Sequence, residues 1–210
     1  MKNKEELIDD LLDLAFAEDV GDGDHTTLST IPADAMGRSR LLVKEEGIIA
    51  GIDVAIKVLH RVAPSITVEV MMHDGDHVKP GDVAFIAAGP VRSLLVAERT
   101  MLNIMQRMSG VATMTHRYQQ ELAGLKTRVL DTRKTTPGMR MLEKDAVRIG
   151  GGMNHRIGLF DMILIKDNHI DFAGGIENAI NRAHEYCRKN GKNLKIEVEA
   201  RSLDDIRRIL

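Results

Sequence analysis

Hydrophobic residues recur at helical spacing near the start of the chain. In "EELIDDLLDLAFA", residues 5–17, apolar side chains repeat every three to four positions, which predicts an amphipathic helix. The predicted apolar stripe consists of Leu7, Ile8, Leu11, Leu14 and Ala15. From about residue 37 to residue 92 the pattern changes to short β-like runs around a helical segment at 53–62, with Gly-Asp turns at 73–82. This punctuation predicts a small antiparallel, hammerhead-like sheet.

The longest helical pattern covers residues 94–122. Its predicted apolar stripe consists of Leu95, Leu102, Met105 and Met108. We expect Ser109-Gly110 to interrupt this helix and to mark a domain junction. The chain is therefore predicted to contain an N-terminal α/β domain at residues 1–110 and a second domain at residues 111–210.

Apolar strands alternate with helices in the second domain. The strands "RVLDT", "DMILIK" and "LKIEVEA" are followed by the helical patterns "LEKDAVRIG", "IENAINRAHEYCRKN" and "SLDDIRRIL". This alternation predicts parallel strands joined by helical crossovers. An α/β barrel and an open doubly wound sheet both fit the pattern.

Composition narrows the function classes. With 43% apolar residues and a net charge of −2 the chain can bury a core, but it has no basic excess for nucleic acid, and 3% aromatic residues make base stacking an unsuitable binding mode. The longest apolar runs, such as "MILI" at 162–165, are too short to span a bilayer. The single cysteine, Cys187, and the acidic N-terminal segment lead us to expect a cytoplasmic protein.

Basic residues gather where the predicted strands end. Arg133 and Lys134 follow the first strand of the second domain, His155 and Arg156 lie in the Gly-rich connection "GGGMNHR", and Lys166 closes "DMILIK". Because ligands bind at the carboxyl ends of parallel strands, we expect these cations to converge there. Several cations in one pocket repel one another, so this arrangement predicts an anionic ligand. Taken alone, Arg133-Lys134 is more typical of a solvated loop, and the glycines are typical of a flexible connector.

Two carboxylates lie in the last predicted strand. Glu197 and Glu199 are two positions apart, so they point to the same face, opposite Ile196 and Val198. Their proximity to the cations indicates ion pairing or a hard cation such as Mg2+ held with an anionic substrate. Alternatively, Glu197 and Glu199 have no ligand and lie on a solvated edge strand.

Two further patterns carry little weight. The spacing of His73 and His77 in "HDGDH" is compatible with metal ligation, but the intervening glycine favours a turn. "GDHVKPGD" is similar to a lipoyl hairpin, yet its lysine is not flanked as that modification requires. We therefore exclude a carrier role.

Five segments, in order along the chain, resemble the motifs of one family. "EDVGDGDHTT", "AERTMLNIMQRMSGVAT", "DTRKTTPGMR", "NHRIGLFDMILIKDNH" and "EVEARSL" are similar to the quinolinate phosphoribosyltransferases. The resemblance implies an N-terminal sandwich domain and a C-terminal α/β barrel, in a homodimer that converts quinolinate and phosphoribosyl pyrophosphate to nicotinate mononucleotide. Since the chain stops at Leu210, we expect an incomplete barrel that lacks part of the phosphate-binding machinery.

The resemblance also implies roles for individual residues. The residues implied to bind substrate are Arg99, Thr132, Arg133, Lys134, His155, Arg156, Lys166 and Glu199. Lys134, Lys166 and Glu199 are the implied catalytic groups, Glu199 meets Mg2+ indirectly with Glu197 as the alternative, and Arg99 acts across the dimer. Arg99 could instead merely pair with Glu98 or another surface acid. The alternative functions are the related pyrophosphorylase-like protein of molybdenum-transport operons and a non-catalytic anion-binding fragment.

Overall fold

The computed structural model describes residues 2–210, which divide into a first unit that ends at His155 and a second unit, Arg156–Leu210. The helices of the first unit are α1 (Lys4–Asp19), α2 (His25–Thr30), α3 (Ile52–Val62), α4 (Val91–Glu121) and α5 (Arg140–Ile149). Its strands are β1 (Met36–Leu42), β2 (Gly47–Ile48), β3 (Thr67–Val70), β4 (His77–Val78) and β5 (Val83–Pro90). The predicted α/β class is confirmed.

The sheet of the first unit is antiparallel, as predicted. β5 lies between β1 and β3, and β2 pairs with β4 in a separate two-stranded ribbon. Phe85 and Ala87 on β5 are fully buried, together with Val58 and Leu59 on α3. The sheet thus turns one face to the helices and forms a core with them.

Helix α1 begins where the sequence predicts. Asn3 and Glu6 form a capping box, in which the Asn3 side chain accepts from the Glu6 amide and the Glu6 carboxylate accepts from the Asn3 amide. The predicted stripe is only partly right, because Ile8 is buried but Leu14 is 65% exposed, and the fully buried Leu12 lies outside the predicted set. In α4 Leu95 is likewise exposed, whereas Met105 and Met108 are buried.

Helix α4 runs without interruption through Ser109 and Gly110, so the predicted break is wrong. The Ser109 hydroxyl accepts a hydrogen bond from the Ala50 amide at 3.0 Å, and the Thr113 hydroxyl accepts one from the Ile48 amide at 2.9 Å. These hydroxyls bond to a neighbouring segment instead of breaking their own helix. The predicted domain boundary at residue 110 stays a prediction.

The predicted strand "RVLDT" is reduced to one parallel bridge between Leu130 and Met153. Met153 donates to the Val129 carbonyl at 2.8 Å, and the Asp131 amide donates to the Met153 carbonyl at 3.1 Å. At the next position the His155 amide donates to the Asp131 carboxylate at 2.9 Å. A side chain has therefore taken the place of the next backbone acceptor, which is why the ladder ends.

The connection after α5 is a packed backbone segment. A Cβ atom at Gly150 would lie 2.3 Å from the carbonyl oxygen of Ala112 on α4, and one at Gly152 would lie 2.8 Å from Thr115 and Val147 side-chain atoms. The interpretation of these glycines as a flexible connector is therefore wrong. They are needed because the backbone approaches α4 too closely for any side chain.

The second unit contains the parallel pair β6 (Met162–Ile165) and β7 (Lys195–Val198) with helices α6 (Asp167–Ala173), α7 (Ile176–Lys189) and α8 (Leu203–Ile209). The parallel pairing is confirmed, whereas α6 was not predicted. Ile165, Ile170 and Ile176 form its small core, with Ile196 and Val198 packed against them. Residues 2–210 contain no closed barrel, in agreement with the predicted incomplete one.

We predict opposite stability effects at two adjacent positions of α4. Ser109→Ala should lower the free energy of unfolding by about 1–3 kcal/mol, because it leaves the buried Ala50 amide without its acceptor. Gly110→Ala should raise it by about 0.5–1 kcal/mol, since a Cβ there meets no atom within 4 Å. Urea denaturation of both variants measures the two effects, and a destabilised Gly110→Ala protein would contradict a continuous helix.

Candidate functional site

Arg133 and Lys134 lie in an irregular segment, residues 131–136, between the Leu130 bridge and α5. The Thr132 hydroxyl accepts a hydrogen bond from the Lys134 amide at 3.1 Å, which forms a local turn. The Arg140 guanidinium on α5 bonds to the Thr135 hydroxyl at 3.1 Å. Side-chain contacts of this kind, more than backbone ladders, fix the segment's shape.

The cations of this segment are not neutralised locally. The Nε atom of Arg133 is buried and has no hydrogen-bond partner within the described residues. Lys134 is exposed, and no carboxylate in residues 2–210 pairs with either side chain. A buried donor without an acceptor is costly, so Arg133 is suited to an anionic ligand that supplies one.

Asp131 and Lys144 form a buried ion pair at the start of the segment. Their side chains are 6% and 2% exposed, and the Lys144 ammonium lies 2.5 Å from the Asp131 carboxylate. Lys144 also donates to the His155 carbonyl at 3.1 Å, while the His155 amide donates to Asp131. The pair thereby fixes the backbone of His155, one of the predicted substrate-binding residues.

A second buried carboxylate lies at the other end of the segment. Glu143 accepts from the Arg107 guanidinium at 2.6 and 2.8 Å and from the Thr136 amide at 3.1 Å. Burial alone raises the pKa of the Glu143 carboxyl, but the hydrogen bonds from Arg107 and Thr136 outweigh it and hold the pKa below its usual value. Glu143 is therefore ionised at neutral pH.

Sequence reasoning did not single out Arg107, Asp131, Glu143 or Lys144. The consecutive Glu-Lys pair on a helix has the appearance of a solvated face, and no periodicity marks it as buried. Only the fold shows that both residues are buried, because it places Arg107 against Glu143 and Asp131 against Lys144.

In the second unit, Lys166 lies at the end of β6 and its ammonium is 2.9 Å from the Glu199 carboxylate. The Glu199 amide donates to the Ile165 carbonyl at 2.9 Å, which continues the β6–β7 pairing by one residue. Glu197 and Glu199 are both exposed, whereas Ile196 and Val198 pack inward. The predicted alternation along this strand is confirmed.

Arg156 also has an unpaired guanidinium nitrogen. Its Nε atom is buried without a partner in the described part of the chain, and its Nη1 atom donates to the Met162 carbonyl at 3.3 Å. Arg156 lines a cavity of about 350 Å3 in the second unit, together with His169 and Arg182. Like Arg133, it is positioned to donate to a ligand.

Arg99 lies on the exposed side of α4. Across residues 2–210 it forms no ion pair with Glu98 or any other acid. The interpretation of Arg99 as one half of a surface ion pair is therefore not supported.

Two other predictions concern metal and membrane. The turn predicted at "HDGDH" is confirmed, since the Asp76 carboxylate accepts from the His73 amide at 2.8 Å and Gly75 has a φ of 98°. No group of three or more metal-ligating side chains occurs in the region the structure covers. Among the described residues, no helix has both the length and the apolar character required to cross a bilayer.

The predicted convergence of Arg133, Lys134, His155, Arg156 and Lys166 stays a prediction. The first unit carries Arg133, Lys134 and His155, and the second carries Arg156 and Lys166. What the structure brings together is the Asp131–Lys144–His155 group in the first unit and the Lys166–Glu199 pair in the second.

Family sequence profiles match almost the whole chain. The quinolinate phosphoribosyl transferase N-terminal domain matches residues 24–109, and the C-terminal domain matches residues 111–210. The resemblance found in the motifs is therefore confirmed.

Relatives and solved structures agree with this match. The chloroplastic nicotinate-nucleotide pyrophosphorylase [carboxylating] of Arabidopsis thaliana is 46% identical over 201 residues, which cover 95% of this chain and 57% of that protein. The probable enzyme of the same name from Synechocystis is 42% identical, with 95% and 66% covered. The crystal structure of NadC from Streptococcus pyogenes superimposes with a TM-score of 0.91 at 38% identity, covering 100% of this chain and 73% of that one. The chain thus spans little more than half the length of its plant relatives.

Proposed function

The chain belongs to the quinolinate phosphoribosyltransferase family, and we propose from that premise that it acts in the transfer of a phosphoribosyl group to quinolinate in NAD biosynthesis. The products are nicotinate mononucleotide, carbon dioxide and pyrophosphate. The observation that carries this proposal is the buried, unpaired Nε atom of Arg133, with the same feature at Arg156. Both guanidinium groups are suited to an oxyanion, and quinolinate carries two adjacent carboxylates.

The basic residues of each unit are assigned to the anionic substrates. In the first unit Thr132, Arg133 and His155 contact quinolinate, and Lys134 contacts both substrates. In the second unit Arg156 and Lys166 contact quinolinate. A guanidinium group can bind a carboxylate through two parallel hydrogen bonds, so it orients the ring as well as attracting it.

The reaction requires positioning and charge neutralisation. The pyridine nitrogen attacks the anomeric carbon of the ribose, forming a C–N bond as the C–O bond to pyrophosphate breaks. Cations near the leaving group stabilise the charge that develops there. The alkylated nitrogen then withdraws electrons, so the adjacent carboxylate leaves as carbon dioxide and its electron pair takes up a proton at the ring carbon. No covalent nucleophile is needed, and Cys187 on α7 is structural.

We predict that Arg133→Ala and Lys134→Ala each weaken quinolinate binding by about 1.5–3 kcal/mol, because each removes a charge-assisted hydrogen bond. Calorimetric titration with quinolinate measures the loss, with Arg128→Ala, an exposed arginine nearby, as the matched control. Nicotinate, which lacks the second carboxylate, should bind the parent protein more weakly.

Parental affinity in both variants would exclude the assignment. The same titration, followed by release of carbon dioxide in the presence of phosphoribosyl pyrophosphate, separates the alternatives. A protein that does not bind quinolinate fits the pyrophosphorylase-like relative of molybdenum-transport operons. One that binds it without releasing carbon dioxide fits a non-catalytic anion-binding fragment.

We also propose Mg2+ as the cofactor. Mg2+ commonly keeps several waters and binds through substrate phosphates plus one or two carboxylates. Glu199, with Glu197 as the alternative, offers an exposed carboxylate of this kind. When bound, the ion would supply positive charge to the pyrophosphate leaving group. Lys166, 2.9 Å from Glu199, orients that carboxylate.

Glu199→Gln should therefore impair the binding of Mg2+ with phosphoribosyl pyrophosphate more than it impairs the binding of quinolinate. The carboxylate charge that it removes would stabilise the cation, whereas quinolinate is itself an anion. Titrations of each substrate with and without Mg2+ measure the difference, and Glu197→Gln is the matched control. If Glu197→Gln alone has this effect, the roles of the two carboxylates are reversed.

We propose a cytoplasmic homodimer in which Arg99 completes the partner's substrate site. Arg99 is exposed on α4 and has no acidic partner among the described residues, so its charge is available to a ligand. In an isologous dimer the same contact occurs twice, which gives two equivalent sites.

Mixing Arg99→Ala subunits with Arg133→Ala subunits tests the shared site. In a mixed dimer one site has both intact arginines and the other has neither, so half of the sites should recover parental affinity for quinolinate. Calorimetry on verified mixed dimers measures this stoichiometry. If the mixed dimers bind no better than either variant alone, Arg99 does not act across the dimer.

A further inference from the structure

Helix α5 buries two opposite charges in adjacent positions. Glu143 and Lys144 are only 6% and 2% exposed. A buried charge is tolerated only where it is paired and hydrogen-bonded. Asp131, the partner of Lys144, lies in the segment that carries Arg133 and Lys134. Arg107, the partner of Glu143, bonds to the same segment at Thr136.

Lys144 holds the beginning of the segment. Its ammonium bonds to the Asp131 carboxylate at 2.5 Å and to the His155 carbonyl at 3.1 Å. The Asp131 carboxylate accepts in addition from the His155 amide at 2.9 Å. With its amide nitrogen facing these oxygens, Asn154 donates to Asp131 and to the Lys144 carbonyl, each at 2.9 Å.

Glu143 holds the end of the segment. One carboxylate oxygen accepts from the Thr136 amide at 3.1 Å, and the other accepts from Arg107 of α4 at 2.6 and 2.8 Å. Arg107 also donates to the Thr136 hydroxyl at 3.1 Å. The segment is thereby fixed to two helices at once.

Between these two anchors the chain has no regular structure. Residues 132–138 belong to no helix or strand, and the Thr132 hydroxyl accepts from the Lys134 amide. Between the anchors, Arg140 of α5 donates to the Thr135 hydroxyl at 3.1 Å and to the Arg133 carbonyl at 3.5 Å. Arg133 and Lys134 repel each other, so an unanchored segment would move them apart into solvent.

We propose that Glu143 and Lys144 are positioning residues, which hold residues 131–136 and His155 in the geometry that the anionic substrate requires. This inference rests on the proposed function for the identity of the substrate. The anchoring itself is independent of any ligand. Preorganised donors bind an anion more tightly because less conformational freedom is lost on binding.

Three variants of the 210-residue chain test the inference. Glu143→Gln keeps the shape of the side chain but has only one acceptor oxygen, whereas Arg107 and the Thr136 amide each bond to a separate oxygen of Glu143. The Arg107 side chain is half-exposed, so water can solvate its charge in this variant. Asp131→Asn combined with Lys144→Met removes both charges of the other anchor, so neither is left unpaired. Leu142→Val, in the same helix and fully buried, is the matched control for loss of packing.

Amide hydrogen exchange of the ligand-free protein is measured first. We expect amide exchange of residues 131–136 to become about tenfold faster in both anchor variants. In the Leu142→Val control the exchange rate should change less than about twofold, even where this variant loses as much thermal stability as the anchor variants do. Unchanged exchange in the anchor variants, or an equal increase in the control, would overturn the inference.

Calorimetry with quinolinate is measured second. We expect affinity to fall about tenfold in the anchor variants and the preference for quinolinate over nicotinate to narrow, neither of which occurs in Leu142→Val. Faster exchange with parental affinity would make the anchors merely structural. A parent protein that fails to bind quinolinate counts against the proposed function, while the exchange experiment still decides the anchoring.

Discussion

The ion pair between Lys144 and Asp131 is the contact on which the arrangement of the first unit's cations depends. Both side chains are almost completely buried, and the pair also contacts the backbone of His155 on both its amide and its carbonyl side. A buried pair adds little net stability compared with a well-packed apolar core, but removing one partner costs about 3–5 kcal/mol. The ion pair therefore serves to fix one backbone conformation at His155 rather than to add net stability.

Helix α4 connects the segment around Arg133 with the remainder of the first unit. Arg107 reaches Glu143, whereas Ser109 and Thr113 bond to the backbone at Ala50 and Ile48. Along the same helix, Ala112 and Thr115 leave room only for the glycines that follow α5. One continuous helix thus contacts the sheet side and the α5 side, which a broken helix could not do with the same precision.

Two kinds of buried charged group occur in the described residues. Glu143, Lys144 and Asp131 are buried and fully paired, and they hold backbone in place. Arg133 and Arg156 each have a buried Nε atom with no acceptor among the described residues. The paired charges are structural, while the unpaired ones are suited to a ligand.

Most of the helices, the last strand and the family could be predicted from the sequence, because local patterns determine them. The 3.6-residue and two-residue periods located α1, α3, α5 and β7, and the order of five motifs identified the family. Exposure of Leu14, continuity of α4 through Ser109, and the loss of the strand around Leu130 depended on neighbours far along the chain.

Burial of Glu143 and Lys144 shows the division most clearly. In the sequence an adjacent acid and base on a helix are indistinguishable from a solvated pair, since nothing local tells which side faces the core. Only the tertiary structure brings Asp131 and Arg107 against them, from positions 13 and 36 residues away, and so makes their burial possible. The sequence by itself determined which residues carry charge and which segments form helices and strands; long-range packing decided which charges are paired.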